Sequence, residues 1–225
     1  MRLAAFALLY LPAACTAGEV IDCMAATVGR GVITRSAIFE QARITAFLNR
    51  EPVDLSAVNL RRTAERLVDV ALIRREMEIS RYTSAGAEEV DKILAGLRAG
   101  RNAVAPEDFA AALAAYQIDE AALRRYLTLQ TETLRFVELR FRPGSAVSDG
   151  EVELFYRENF APEFTRVNPG KLPPELDDVR DRIEASLLEQ RIDQAMEQWL
   201  KEARSQTRVT FYPETCPVGE PEVSR

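Results

Sequence analysis

Residues 22–42 have the sequence DCMAATVGRGVITRSAIFEQA. Residues 24–28 predict a short β-strand, residues 29–31 predict a turn, and Ser36 onward predicts a helix. An isolated strand leaves its backbone N–H and C=O groups unpaired, which folded proteins rarely tolerate. No similar strand pattern follows for well over a hundred residues, so this strand needs a distant partner.

The second predicted strand is TRVTFY, residues 207–212, which is rich in β-branched and aromatic residues and is followed by a proline. Antiparallel pairing of this segment with residues 24–28 supplies the missing hydrogen-bond partners. The pairing also brings Cys23 and Cys216 to the same end of the two strands, where a disulfide is geometrically reasonable. The sequence therefore predicts a small two-stranded antiparallel sheet that joins the N- and C-terminal strands.

Helical patterns fill the chain between the two strands. Predicted helices begin near Thr34, Ala57, Ser84, Pro106, Asp119 and Ser148, and a last helix of about 45 Å runs from Pro174 to about Arg204. The segment APEFTRVNPGKLPP, residues 161–174, contains prolines and a glycine and predicts an irregular connection. The expected fold is mostly α, with one helical domain over residues 19–216, comprising an N-terminal part at 19–164 and a closing helix and strand at 174–213.

The first residues have the layout of a bacterial export signal. Residues 1–18, MRLAAFALLYLPAACTAG, contain one arginine, an apolar run too short to span a bilayer, and then small residues. Cys15 follows LPAA, which is similar to a lipoprotein cleavage box except for a proline where leucine is usual. We expect an exported protein, periplasmic or secreted, that is either cleaved plainly or lipid-anchored at Cys15. A core helix is the alternative for this run, and residues 217–225 are expected to form a flexible tail.

The composition excludes several kinds of active site. The 225 residues contain 29 Lys and Arg, 35 Asp and Glu, and no histidine, which gives a formal net charge of −6. An acidic chain without a basic stripe is a poor candidate for binding nucleic acid or anionic lipid. The absence of histidine removes His-based triads, general bases and metal sites, and leaves Cys23 without a His partner.

Carboxylates cluster at residues 151 and 153 and at residues 177, 178 and 181. Acid/base pairs and a Ca²⁺ site are conceivable there, but both clusters fall in the first turns of predicted helices, where carboxylates complement the helix dipole. We therefore expect no catalytic residues, no metal and no cofactor.

Four segments in order indicate a family. They are ATVGRGVITRSAI (26–38), LVDVALIRREMEI (67–79), VSDGEVELFYREN (147–159) and RIDQAMEQWLKEARSQTRVTFY (191–212). The segments resemble the opening strand and first helix, the second helix, the segment that leads into the isomerase domain, and the closing helix and strand of the SurA family in the trigger factor/SurA-like group. The resemblance implies the peptide-binding core of an envelope chaperone.

The sequence also departs from that family. Gly29 replaces a usual Asn and Ala37 a common acidic residue, and neither disturbs the turn or the cap seriously. More importantly, only residues 161–173 lie where the parvulin-type prolyl-isomerase domain should be, far fewer than the roughly 50 residues that a domain needs. The isomerase activity of the family is therefore not carried over to this chain, and we expect no enzymatic activity.

The predicted fifth helix has two apolar stripes. Leu123, Leu127, Leu134, Val137 and Phe141 form one, and Ala122, Tyr126, Leu129, Phe136 and Leu139 form a second, rotated from the first. Such a helix is either buried between layers or keeps one side for a partner. On the second interpretation, Tyr126, Leu129, Phe136 and Leu139 bind unfolded or extended polypeptide clients. The alternative function is a structural or accessory subunit that uses the same groove for one defined envelope partner.

Overall fold

The computed structural model describes residues 22–82, 87–100 and 106–212. In chain order it contains β1 (Met24–Val28), β2 (Gly31–Thr34), α1 (Arg35–Asn49), α2 (Ala57–Ile79), α3 (Ala87–Gly100), α4 (Pro106–Ala114), α5 (Glu120–Phe141), α6 (Asp149–Phe155), α7 (Ala161–Val167), α8 (Leu176–Gln206) and β3 (Val209–Phe211). The predicted mostly-α fold is confirmed. The predicted signal, tail and lipidation site at Cys15 lie outside the described residues, as do Ser84 and Cys216.

A three-stranded antiparallel sheet joins the two ends of the described chain, with strand order β2-β1-β3. The predicted pairing of β1 with β3 is confirmed, with Ala26 opposite Phe211 and Val28 opposite Val209. The prediction of only two strands was wrong, because β2 also pairs with β1 directly across the turn. The first partner of β1 is therefore the next segment of the chain.

The hairpin between β1 and β2 turns at two residues, Gly29 and Arg30. Gly29 has φ of +59°, a left-handed conformation that glycine adopts without a Cβ penalty. Thr34 is both the last residue of β2 and the N-cap of α1, where its Oγ1 accepts a hydrogen bond from the Ala37 N–H at 3.3 Å. The strand thus passes into the predicted helix without a loop.

The first hydrophobic cluster lies between the sheet and three helices. Its fully buried members include Ala26 on β1, Ile38 on α1, and Leu60 and Val68 on α2. Trp199, Leu200 and Ala203 at the end of α8 pack against its edge, together with Phe211 of β3. The buried side chains of α2 thus lie at the centre of this cluster, and α8 closes it.

A second cluster is built from α1, α3, α4 and α5. Phe47 at the end of α1 is fully buried and meets Phe109 edge-on, with ring centroids 6.1 Å apart, and Tyr116 at 5.4 Å. Offset and edge-to-face aromatic pairs add to the stabilisation from buried area alone. Leu113 and Leu123 complete the buried contacts that tie α4 and α5 to this end of α1.

The 31-residue helix α8 connects the remaining clusters. Near its end, Trp199 and Leu200 pack on Ile73, Met77 and Phe136, where α2 meets α5. Near its start, Val179 and Ile183 form a separate buried cluster with Val152 of α6. Within residues 22–82, 87–100 and 106–212, none of the helices combines the length and apolar composition needed to cross a membrane.

Candidate functional site: an apolar cleft beside α7

The four predicted client-binding residues on α5 do not share one exposed face. Phe136 is only 3% exposed and packs with Ile73 and Met77, and its ring lies edge-on to that of Tyr82 at 5.4 Å. The prediction that Phe136 faces a client was therefore wrong. Leu139 is 66% exposed, whereas Tyr126 and Leu129 are half-buried.

The neighbours of α5 change along its length. The first half buries Ala122, Leu123 and Leu127 in the cluster with α3 and α4, whereas the second half buries Phe136 in the cluster with α2 and α8. The second stripe is thus buried at both ends of the helix, at Ala122 and at Phe136. Of the two interpretations left open by the sequence, burial between layers therefore applies to most of this helix.

The prediction that residues 161–174 form an irregular connection was wrong in its first half, because Ala161–Val167 is helical. A π-helical turn, Tyr156–Phe160, joins α6 to α7, and the Ala161 N–H bonds the Tyr156 carbonyl in that wider register. Pro162 follows at once and has no N–H to donate. The π turn thus changes the hydrogen-bond register just where a proline enters the helix, and such turns are frequent at functional sites.

Three aromatic rings follow one another along this helical segment. The ring centroids of Tyr156 and Phe160 are 5.8 Å apart, and those of Phe160 and Phe164 are 6.2 Å apart, both in stacked orientation. The Arg182 guanidinium of α8 lies 5.3 Å from the Phe160 centroid, and the Tyr156 hydroxyl donates to the Pro174 carbonyl at 2.6 Å. Phe160 thus contacts α8, and Tyr156 is bonded to the segment before α8.

An open cleft of about 710 Å³ lies beside this aromatic row. Its apolar walls are Phe155, Phe160, Pro162, Phe164 and Val167, and its polar rim is Glu158, Asn159, Glu163, Arg166 and Asn168. Val167 is 61% exposed and so presents apolar surface at this cleft. Ligand sites in proteins are commonly concave, mostly apolar and bordered by a few polar groups.

Three of the five polar side chains at the rim, those of Glu163, Arg166 and Asn168, bond each other or the backbone. The Glu163 carboxylate accepts a bidentate pair of hydrogen bonds from Arg166, one of them 2.8 Å from Nε, and the Asn168 side chain donates to the Phe164 carbonyl. The hydrogen bond from Arg166 lowers the pKa of Glu163, and the same pair raises the pKa of Arg166. Both groups therefore remain ionised near neutral pH, and the cleft offers an apolar wall with a charged rim.

One carboxylate in each cluster noted in the sequence has a polar partner, and so does the neighbouring Asp149. Glu151 accepts hydrogen bonds from Ser148 in a capping box, Asp177 pairs with Arg180 at 3.4 Å, and Asp149 pairs with the same arginine. In the part of the chain that the structure describes, no group of three or more His, Cys, Asp or Glu side chains is placed to hold a metal ion.

Phe160, Phe164 and Val167 were missed by the sequence analysis. A signal was available, since Tyr156, Phe160 and Phe164 recur at a spacing of four, the period of one face of a helix. Pro162 and the later prolines outweighed that signal and indicated a loop. Proline is tolerated in a first helical turn, so the aromatic period was the better guide.

Comparison with known proteins does not identify a family for this chain. No protein-family model matches the chain, and no curated protein sequence matches it significantly.

Proposed function

We propose that this protein is a non-catalytic, SurA-like envelope chaperone that holds unfolded or extended polypeptides, with the cleft beside α7 as its principal client contact. The proposal depends above all on one observation, the open apolar cleft lined by Phe160, Phe164 and Val167. Unfolded clients present apolar side chains in no fixed order, and a broad apolar wall binds them without specific chemistry. The order of the helices and the terminal strands supports the proposed family.

The cleft suits weak and reversible binding. Burial of about 300 Å² of client apolar surface contributes roughly 7 kcal/mol at the usual area coefficient. Loss of translational freedom and ordering of the client chain offset much of that gain. We therefore expect dissociation constants on the order of micromolar, which is the range in which a holding chaperone can release its clients.

The proposal includes export from the cytoplasm and a disulfide between Cys23 and Cys216. Cys23 is half-buried immediately before β1, and its carbonyl accepts the Arg35 N–H at 2.8 Å, so its backbone is anchored to the start of α1. β3 ends at that same end of the sheet, because Phe211 lies opposite Ala26 and the Tyr212 N–H donates to the Ala25 carbonyl at 2.9 Å. Lipidation at Cys15 would add a membrane anchor, as the sequence analysis allows.

An aggregation-suppression assay tests the proposal directly. Purified protein is mixed with a chemically unfolded outer-membrane or secreted protein, and light scattering is followed after dilution of the denaturant. Phe164→Ser and Val167→Ser should each reduce protection of the client from aggregation severalfold. Each change removes an apolar side chain from the cleft and leaves the larger hydrophobic clusters intact. Val58→Ser, which removes an exposed apolar side chain from the start of α2, is the matched control and should protect as well as wild type.

Two further outcomes of this assay distinguish other functions. If Leu139→Ser abolishes protection and the cleft variants do not, the client surface lies on α5. If no unfolded protein is protected and a single stoichiometric partner is recovered from an envelope fraction, the accessory-subunit alternative is favoured. A parallel prolyl-isomerisation assay should show no acceleration over the uncatalysed rate.

A further inference from the structure

A second groove lies between the β1–β2 hairpin and the C-terminal half of α2. Its volume is about 660 Å³, and its lining includes Val32 of β2 and Ala71 and Ile79 of α2. Val32 is 56% exposed and Ile79 is 66% exposed, so both apolar side chains border the groove and remain accessible to solvent. The groove lies on the β-hairpin and α2, whereas the cleft beside α7 is formed by residues 155–168.

One side of this groove is an edge strand. β2 pairs with β1 on one side, and among the described residues no strand pairs with its other side. Gly31–Thr34 is short but contains neither a charged residue nor a proline, two devices that protect an exposed edge. An edge of this kind offers backbone N–H and C=O groups to an added strand, a recurrent mode of peptide recognition.

The groove is cationic although the whole chain is acidic. Arg30, Arg74 and Arg75 line it with a single carboxylate, Glu78, in a protein whose formal net charge is −6. Glu78 is 3.5 Å from Arg74, which leaves two arginines in excess. This local charge favours an anionic ligand and disfavours a basic one.

Arg75 is held at the turn of the hairpin. Its Nη1 donates to the Thr207 Oγ1 at 3.1 Å, and a Cβ built on Gly29 would lie 3.6 Å from the same nitrogen. The Gly29 N–H in turn donates to the Arg208 carbonyl at 2.9 Å. The cationic group therefore has a fixed position relative to the strand edge.

We propose that this groove is a second peptide site, specific for extended segments in which acidic and apolar residues alternate. Such a segment adds to the outer edge of β2 as a further strand. Its apolar side chains cover Val32, which alternates with the buried Ile33 and so points away from α2, and its carboxylates, on the other face, meet Arg75 of α2 and Arg30 of the turn. In an extended strand, alternate side chains point to opposite faces, so one face of the peptide is apolar and the other is acidic. This site is independent of the apolar cleft proposed above as the client contact.

The test uses fluorescence anisotropy of the labelled peptide EVEVEVE, with KVKVKVK as the charge-reversed counterpart. The acidic peptide should bind at least about tenfold more tightly, and high salt should reduce the difference. Methylation of alternate backbone amides of EVEVEVE should weaken binding by about tenfold, because it removes donors to the strand edge. Equal binding of both peptides, or full binding of the methylated peptide, would overturn the proposal.

Variants locate the site. Arg30→Glu, in the turn, should weaken EVEVEVE binding by about fivefold or more, whereas Arg62→Glu, an exposed arginine at the other end of α2, should leave it within about twofold. Phe164→Ser should leave EVEVEVE binding unchanged while it reduces aggregation suppression, so the two proposals can fail separately. Equal weakening by Arg30→Glu and Arg62→Glu would show only a general charge effect and would contradict the proposed site.

Discussion

Glu151 connects three parts of the molecule through one carboxylate. Its Oε2 accepts hydrogen bonds from the Ser148 N–H at 2.9 Å and hydroxyl at 2.7 Å, and its Oε1 contacts Arg191 of α8. The hydrogen bonds from Ser148, together with the charge of Arg191, lower the pKa of Glu151 from its ordinary value of 4.5. A lowered carboxyl pKa means that the ionised form stabilises the fold above that value and that this contribution is lost as pH falls.

Glu151→Gln should therefore lower the melting temperature near neutral pH. The melting temperature of the variant should approach that of the wild type as pH falls below about 4.5, because the wild-type carboxylate then becomes protonated. The measurement is a series of thermal unfolding scans across this pH range. Glu153→Gln, an exposed position on the same helix, is the control and should give a curve parallel to wild type. A Glu151→Gln deficit that stays constant into acid would show that the carboxylate charge is not involved.

Gly29 is the residue on which the hairpin turn depends. Because its φ is +59°, Gly29→Ala should reduce the free energy of unfolding by about 1–2 kcal/mol, measured by urea denaturation. Gly96→Ala tests the opposite case, since Gly96 lies within α3 and an added Cβ would meet nothing within 4 Å. That change should stabilise the protein by about 0.5–1 kcal/mol. If both substitutions changed stability in the same direction, the backbone explanation would fail.

At the scale of elements, the sequence predicted long helices well and short elements poorly. The starts of α4 and α5 were located from Pro106 and from the cap at Asp119, because these are local signals that packing does not override. β2 was missed because its four residues pass directly into the cap of α1. α7 was missed because Pro162 and the later prolines indicated a loop, although the π turn accommodates Pro162 within a helix.

Helix α5 was the element whose exposed surface was least predictable. Its two stripes are visible in the sequence, but which of them is covered depends on where α2, α3 and α8 lie against it. Phe136 is buried because α2 supplies Ile73 and Met77 at that level. Such long-range placement is set by tertiary packing, and helix periodicity alone does not contain it.

One hydrogen bond ties the π turn between α6 and α7 to the segment before α8. Tyr156→Phe removes the hydroxyl that donates to Pro174 at 2.6 Å and leaves the aromatic ring in place. We expect faster amide hydrogen exchange in residues 156–167, by a factor of about 2–10, with exchange in α1 and α2 unchanged. Thr165→Val, which removes a hydroxyl that bonds only within α7, is the comparison. Equal effects of the two variants would show that the bond to Pro174 does not anchor the segment.

At the scale of the whole molecule, the two ends of the described chain meet at the sheet. β3 pairs with β1, and α8 packs Trp199 and Ala203 against the cluster beneath the sheet. Arg204 of α8 pairs with Asp69 of α2 at 2.6 Å beside that contact. The sheet thus joins residues that are far apart in sequence, which is entropically costly and makes a covalent link at the same place useful.

The Cys23–Cys216 disulfide is the corresponding prediction. Mass analysis of the exported protein under non-reducing conditions should find both thiols absent, and reduction should lower the free energy of unfolding by up to about 5 kcal/mol on the chain-entropy account. A Cys23→Ser/Cys216→Ser double variant should match the reduced protein. Two free thiols in the exported protein would contradict the prediction.

Contact between the cleft and an unfolded client is the most direct test of the central claim. A photo-crosslinking amino acid is placed at Val167, which lines the cleft and is 61% exposed, and in a second protein at Val58, which is 72% exposed on α2 and outside the cleft. Illumination in the presence of an unfolded outer-membrane protein should give crosslinked client from position 167 in clear excess over position 58. Equal yields from the two positions, or client crosslinked only from position 58, would contradict the assignment of the cleft as the client site.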